Sequence, residues 1–105
     1  MTKYKVIITE NAKNDIKAIR KYIAIDNILA SKNFLLVLKK IFVHLAKYPK
    51  MGKKQPCYVF AENVYCHTMK WGYSILYNID NENIYILRIL TGYQDILQNL
   101  WKIFK

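Results

Sequence analysis

Cys57, Cys66 and His67 are residue types that can hold a transition metal, and they are the first candidates for chemistry in this sequence. A structural zinc site needs a fourth ligand and usually a C-x-x-C pair, and the sequence supplies neither. Cys66 and His67 are also adjacent in a segment of period two, which sends their side chains to opposite faces. Reduced thiols half-buried in strands are the expectation, and no metal. Glycine stands only at positions 52, 72 and 92, so no glycine-rich loop can cradle a phosphate. No Ser-His-Asp order occurs in a recognisable context. No cofactor is expected.

Charge says more than motifs. The net charge is +10, and residues 1–56 hold all of the excess: they carry thirteen Lys and Arg against three Asp and Glu, whereas residues 57–105 carry four of each. Such asymmetry fits an anionic partner, either nucleic acid or an acidic protein segment. A solvated, lysine-rich surface is the plainer alternative. Neither helical segment has helix-turn-helix spacing with a glycine turn, so no known DNA-reading motif is present. A length of 105 residues favours a single domain over 1–105, and a hydrophobic content of 53% excludes disorder. No apolar run approaches the ~20 residues that span a bilayer, and the first residues lack a secretory pattern. A cytoplasmic protein with no membrane partner is expected.

The elements that would position any site follow from periodicity. Residues 4–8 read as a strand, with Tyr4, Val6 and Ile8 on one face. Thr9 or Asn11 can cap the helix that follows, whose stripe is Ala12, Ile16, Ile19 and Ile23, with Lys13, Lys17, Arg20 and Lys21 behind it. Asp26 and Asn27 interrupt the pattern and can cap a second helix, which runs through Ala30, Phe34, Val37, Leu38, Ile41, Phe42, Leu45 and Tyr48 to a stop at Pro49. Residues 50–56 form a basic loop. From Cys57 onward the period is two, with strands over 64–70, 73–79 and 84–90 and a hairpin turn at 80–83. In the last strand Ile84, Ile86, Arg88 and Leu90 alternate with Tyr85, Leu87 and Ile89, and the last two strands, apolar on both faces, are expected at the sheet centre. Asp95 can cap a short amphipathic helix containing Leu100, Trp101 and Phe104. The two helices need a third apolar surface, and a sheet supplies it. The expected fold is α+β: an N-terminal strand, a two-helix antiparallel hairpin packed on one face of a small antiparallel meander, and a short C-terminal helix. The other sheet face is expected to be a free working surface.

This order resembles the RelE/ParE toxin superfamily of type II toxin–antitoxin systems along most of the chain. The resemblance rests on three segments: residues 11–19 followed by Tyr22 and Ile23, the Y-x-I-x-Y-x-I strand at 73–79, and the ending over 86–95 that looks like I-L-R-I-L-H-G-x-x-D. Thr91 stands where the family often has His, Gln94 where it often has Arg, and Lys70 fills the place of a basic residue before the central strand. The resemblance implies a toxin held inactive in a hetero-oligomer by a cognate antitoxin, whose toxin-binding segment is expected to be acidic.

Two activities occur in the superfamily. ParE-like members poison DNA gyrase, and the long helical hairpin and the 88–95 ending place this chain closer to them. A binding toxin needs surface, and Lys53, Lys54, Leu100, Trp101 and Phe104 are the candidates for partner binding; packing of the last three into the core is the alternative. RelE-like members cleave mRNA in the ribosomal A site, which without a metal needs a proton acceptor, a proton donor and cations on the phosphate. Arg88 and Lys70 could hold the phosphate and Tyr93 or His67 could move the proton, with Lys53 and Lys54 in support. Each has a structural alternative: Arg88 can pair with a carboxylate at the sheet edge, and His67 can be a strand residue only. The gyrase reading is placed first and the ribosome-dependent nuclease second.

Overall fold

A computed structural model describes residues 3–54 and 64–91. Strand β1 (Lys5–Ile8) runs directly into helix α1 (Glu10–Asp26). Thr9 makes the change of direction: its backbone is extended and its side-chain oxygen accepts from the Ala12 N–H at 3.4 Å. Helix α2 (Ile28–Lys47) starts one residue after α1 ends. That residue, Asn27, closes the first helix through its N–H to the Ile23 carbonyl and opens the second by accepting from the Ala30 N–H at 3.1 Å. The hairpin connection is thereby reduced to a single residue. Inside it, the buried Ser31 hydroxyl donates to the Arg20 carbonyl at 3.0 Å. The second helix ends two residues before Pro49, which cannot continue it. Among the described residues no helix is long and apolar enough to cross a membrane.

The remaining strands are β2 (Lys53–Lys54), β3 (Val64–Thr68), β4 (Tyr73–Asp80) and β5 (Asn83–Thr91), and among the described residues the sheet order is β1-β5-β4-β3-β2. The β3-β4-β5 meander is antiparallel, as the sequence suggests. The sheet as a whole is mixed, because β1 lies parallel to β5, with Lys5 opposite Asn83 and Ile8 opposite Ile86. An open edge of β5 would leave a row of unpaired backbone groups, and β1 fills it. Its position is fixed from both sides: the Lys5 N–H bonds to the Glu82 carbonyl and the Tyr4 N–H to the Ala46 carbonyl at the end of α2. The 80–83 hairpin is a two-residue turn in which Asn81 takes φ 56°, a left-handed conformation that asparagine tolerates. The C-terminal helix expected after Asp95, with Leu100, Trp101 and Phe104, lies outside the described residues, as do Cys57 and Tyr93.

One sheet face receives the helices. Ala12, Phe34, Leu38 and Leu45 pack on Tyr65, Ile75, Tyr77, Ile84, Ile86 and Ile89, with Ile16, Ile19, Ile23, Val37, Ile41 and Phe42 around them. The opposite face is not the open working surface expected of it. Val64, Ser74, Leu76 and Leu90, which belong to no part of the helix-facing cluster, are also buried. Covering such side chains is worth about 1.5–3 kcal/mol each for the large apolar ones, so a sheet apolar on both sides does not stay open on one.

A second correction concerns β5. Simple alternation groups Arg88 and Leu90 with Ile84 and Ile86. The pairing instead passes from Tyr77 opposite Ile86 to Leu76 opposite Arg88, leaving Leu87 as the extra residue of a β-bulge. The bulge resets the phase, and Ile89 rather than Arg88 joins the core.

Tyr77 fastens the loop after α2 to the sheet. Its hydroxyl donates to the Pro49 carbonyl at 2.8 Å and accepts from the Gly52 N–H at 3.0 Å, while its ring stacks on Tyr65 at 5.6 Å between centroids. A Cβ at position 52 would stand 2.7 Å from that hydroxyl and 3.0 Å from the Cys66 carbonyl oxygen, so the loop can dock only with glycine there. Burial pushes the Tyr77 hydroxyl from 10 up to about 12, against the pull of the Gly52 N–H. The folded state thus favours the neutral phenol. That stability is complete below pH 10 and is lost as the pH rises toward 12. Tyr77→Phe is expected to destabilise the fold by about 1–3 kcal/mol in urea titrations, because two backbone groups lose their partner. It is also expected to flatten the alkaline fall in stability, and an unchanged midpoint would remove the clamp from this account.

Candidate functional site

Arg88 is the residue at which helix, strand and candidate chemistry meet. β1 pairs with β5 only as far as Ile8 opposite Ile86. Beyond that point the edge of β5 faces the start of α1. Thr9 covers the first step: its N–H bonds to the Ile86 carbonyl at 3.2 Å and its hydroxyl donates to the same oxygen at 2.7 Å, with the Leu87 carbonyl at 3.2 Å. Asp15, about a turn and a half into α1, covers the next. Its carboxylate accepts from Arg88 Nε at 2.6 Å, from Arg88 Nη2 at 2.9 Å and from the Ile89 N–H at 3.0 Å.

The bidentate fork and the backbone bond together use both carboxylate oxygens. The two side chains are only 23% and 16% exposed. Hydrogen bonding and proximity to Asp15 raise the Arg88 pKa further, against the effect of burial. The sheet-edge carboxylate that the sequence offers as the plain alternative for Arg88 is therefore present, and it is Asp15. Sequence reasoning placed no role on Asp15. The signal was available: it is one of three acids in residues 1–56, and it lies three residues after Ala12 and four before Ile19, inside the apolar stripe rather than behind it.

The other candidates are dispersed. Lys70 opens a 3-10 turn, Lys70–Gly72, that links β3 to β4. Lys53 and Lys54 form β2, opposite Cys66 and Tyr65. His67 is on β3 opposite Ile75, half-buried, and burial lowers its pKa, which favours the neutral imidazole. Cys66 is free and opposite Leu76, and burial raises its thiol pKa against a hydrogen bond with Ser74. Adjacent on one strand, Cys66 and His67 cannot converge on one ion, and among the described residues no cluster of three His, Cys, Asp or Glu forms a metal site.

The 3-10 turn shapes a second feature that the sequence did not reveal. Trp71 sits at φ 67° and Gly72 at φ 78°, two successive left-handed residues, and the indole is more than half exposed. Phe34 stacks edge-on against Tyr73 at 5.2 Å and lies 6.5 Å from Trp71. With Ile23, Ala30 and Asn33 these residues line an apolar cleft of about 260 Å³ between the helical hairpin and the sheet. Around the hairpin connection Tyr22, Ile25, Ile28 and Leu29 are all exposed. They fall outside the helical stripes, and large apolar side chains at such positions are the signal the sequence holds for this surface.

Comparison with known proteins agrees with this architecture. The family described as the ParE toxin of the type II toxin–antitoxin system parDE matches residues 6–96. A chain of the chromosomal ParDE TA system from P. aeruginosa is 19% identical and superposes with a TM-score of 0.71, covering 88% of this chain and 99% of that one. A chain of the toxin–antitoxin complex RelBE2 from Mycobacterium tuberculosis is 24% identical with a TM-score of 0.58, covering 87% of this chain and 93% of that one. No curated protein matches the sequence.

Asp15→Ala would strand a largely buried guanidinium and an edge N–H together. The expected loss is about 2–4 kcal/mol of unfolding free energy, with Arg88→Lys intermediate because an ammonium cannot form the fork. The Asp15→Ala/Arg88→Met double variant should recover part of that loss. Equal stability of Asp15→Ala and wild type in denaturant titration would show that the pair does not hold α1 to the sheet.

Proposed function

The chain belongs to the ParE toxin family of type II toxin–antitoxin systems, and from that we propose that it inhibits growth by binding DNA gyrase and is silenced by a cognate antitoxin. The observation that carries the reading is the family match, which begins in β1 and runs past the end of β5, so it spans both helices and the sheet of the described residues. Two features of the chain support it. A gyrase inhibitor works through surface, and apolar side chains stand exposed around the helical hairpin without serving the core. Arg88, the sheet cation with the best case for a phosphate, already spends Nε and Nη2 on Asp15.

The antitoxin is the anionic partner that a +10 chain calls for, and its toxin-binding segment is acidic in this reading. Toxin–antitoxin complexes among the structural neighbours support a hetero-oligomer of the same kind. Lys53, Lys54, Leu100, Trp101 and Phe104 are proposed as further partner contacts on their residue types.

A second reading, cleavage of mRNA on the ribosome, draws on the likeness to the RelBE2 chain. It would use Arg88 and Lys70 on the phosphate and Tyr93 on the proton. Arg88 would then act with what Asp15 leaves free, or release Asp15 first.

Purified toxin added to gyrase and relaxed plasmid separates the two. The proposed function predicts a dose-dependent loss of supercoiling or an accumulation of gyrase-linked DNA breaks, with mRNA ends on ribosomes unchanged. No effect on supercoiling at large molar excess rejects gyrase as the target. Codon-register cuts in ribosome-bound mRNA would put the nuclease reading in its place.

A further inference from the structure

Helix α2 is apolar on two opposite sides. Its inner side carries Phe34, Leu38 and Leu45, which are fully buried. Its outer side carries Leu29, Leu36 and Val43, which are 70%, 56% and 56% exposed. These three recur every seven residues, so they line up along the helix in a row about 21 Å long at 1.5 Å per residue. The row does nothing for the fold. Around the hairpin connection that precedes it, Tyr22, Ile25 and Ile28 are exposed by 74%, 77% and 66%. Lys32, Lys39 and Lys40 are exposed beside it, and α2 contains no acidic residue at all.

We propose that this outer face of α2 docks an amphipathic, acidic helix of the antitoxin. The inference rests on the toxin reading above and adds the surface and the chemistry of the segment that covers it. Seven-residue spacing selects a helix as the occupant, because apolar side chains on a helix return to the same side every two turns. Lysines flanking the row select acidic residues on either side of the partner's own apolar stripe. A second copy of this chain is the wrong occupant: pairing α2 with α2 would set lysine rows against each other with no acid on either helix to relieve them. A nucleic acid would meet the lysines but would press Leu29, Leu36 and Val43 against phosphates.

The probe is the full-length protein encoded beside this chain, titrated onto the toxin by calorimetry. Two variants test the two halves of the surface: Leu29→Ser/Leu36→Ser/Val43→Ser, and Lys32→Glu/Lys39→Glu/Lys40→Glu. None of these positions is in the core, and thermal melting checks that both variants stay folded. Each variant is expected to weaken binding by about tenfold or more. The deficit of the charge variant should shrink at high salt, whereas that of the apolar variant should persist. Wild-type affinity in both variants overturns the docking surface and leaves the toxin reading standing. No binding of the neighbouring protein to wild-type toxin overturns both. Binding of wild type, but not of the variants, to phosphatidylglycerol vesicles with unchanged affinity for the neighbouring protein would assign the face to a membrane and overturn the proposal.

Discussion

The carboxylate of Asp15 is the constraint from which the rest of the architecture hangs. β1 pairs with β5 for four residues and then becomes a helix, while β5 continues and bulges at Leu87. The edge that remains has donors with no strand to receive them, and a buried N–H without a partner costs as much as a lost hydrogen bond. Asp15 receives the Ile89 N–H and the Arg88 guanidinium on one side chain. It therefore stands in for the missing strand just beyond the bulge and fixes how α1 lies along the sheet. Because α2 is joined to α1 through Asn27 alone, the placement of α1 places the second helix as well.

Apolar burial by itself would not give this result. It is proportional to area and has no direction, so it dictates that two helical stripes cover a sheet but not at what register. Direction comes from the polar clamps. Thr9 and Asp15 hold α1 to β5, and Tyr77 holds the chain leaving α2 to β4 through Pro49 and Gly52. Tyr77 reaches that loop from the middle of the core, which accounts for both its burial and its raised pKa. The glycine is part of the same device, since the hydroxyl and the Cys66 carbonyl occupy the space a side chain would need.

These clamps bear on function through what they leave uncommitted. The centre of each sheet face is closed, and the cation best placed for chemistry on β5 is bound into the fold. The described residues then offer surface on the helices: lysines, an apolar row on α2 and an apolar tip. The proposed toxin, occupying its target and silenced by being covered, needs surface of that kind more than it needs a pocket of acids and bases.

Local chemistry was enough to define the elements. Thr9 and Asn27 as caps, Pro49 as a stop, the stripe from Ala12 to Ile23, the 80–83 turn and the central placement of the two most apolar strands all follow from forces acting within a few residues, and all are found. The motifs at 11–23, 73–79 and 86–95 carried the family as well. What the sequence could not decide was every relation between residues far apart in the chain. The parallel pairing of β1 with β5 joins positions 5 and 83, and nothing near either one encodes it. The bulge at Leu87 is invisible to a period-two reading, which put Arg88 in phase with the core when Ile89 belongs there. Asp15 read as one more charge on a charged helix until Arg88, seventy-three residues on, was brought to it. Periodicity reports which side of an element is apolar, because that is fixed by backbone geometry. Which carboxylate meets which guanidinium is fixed only when the elements dock, and only the folded chain contains that information.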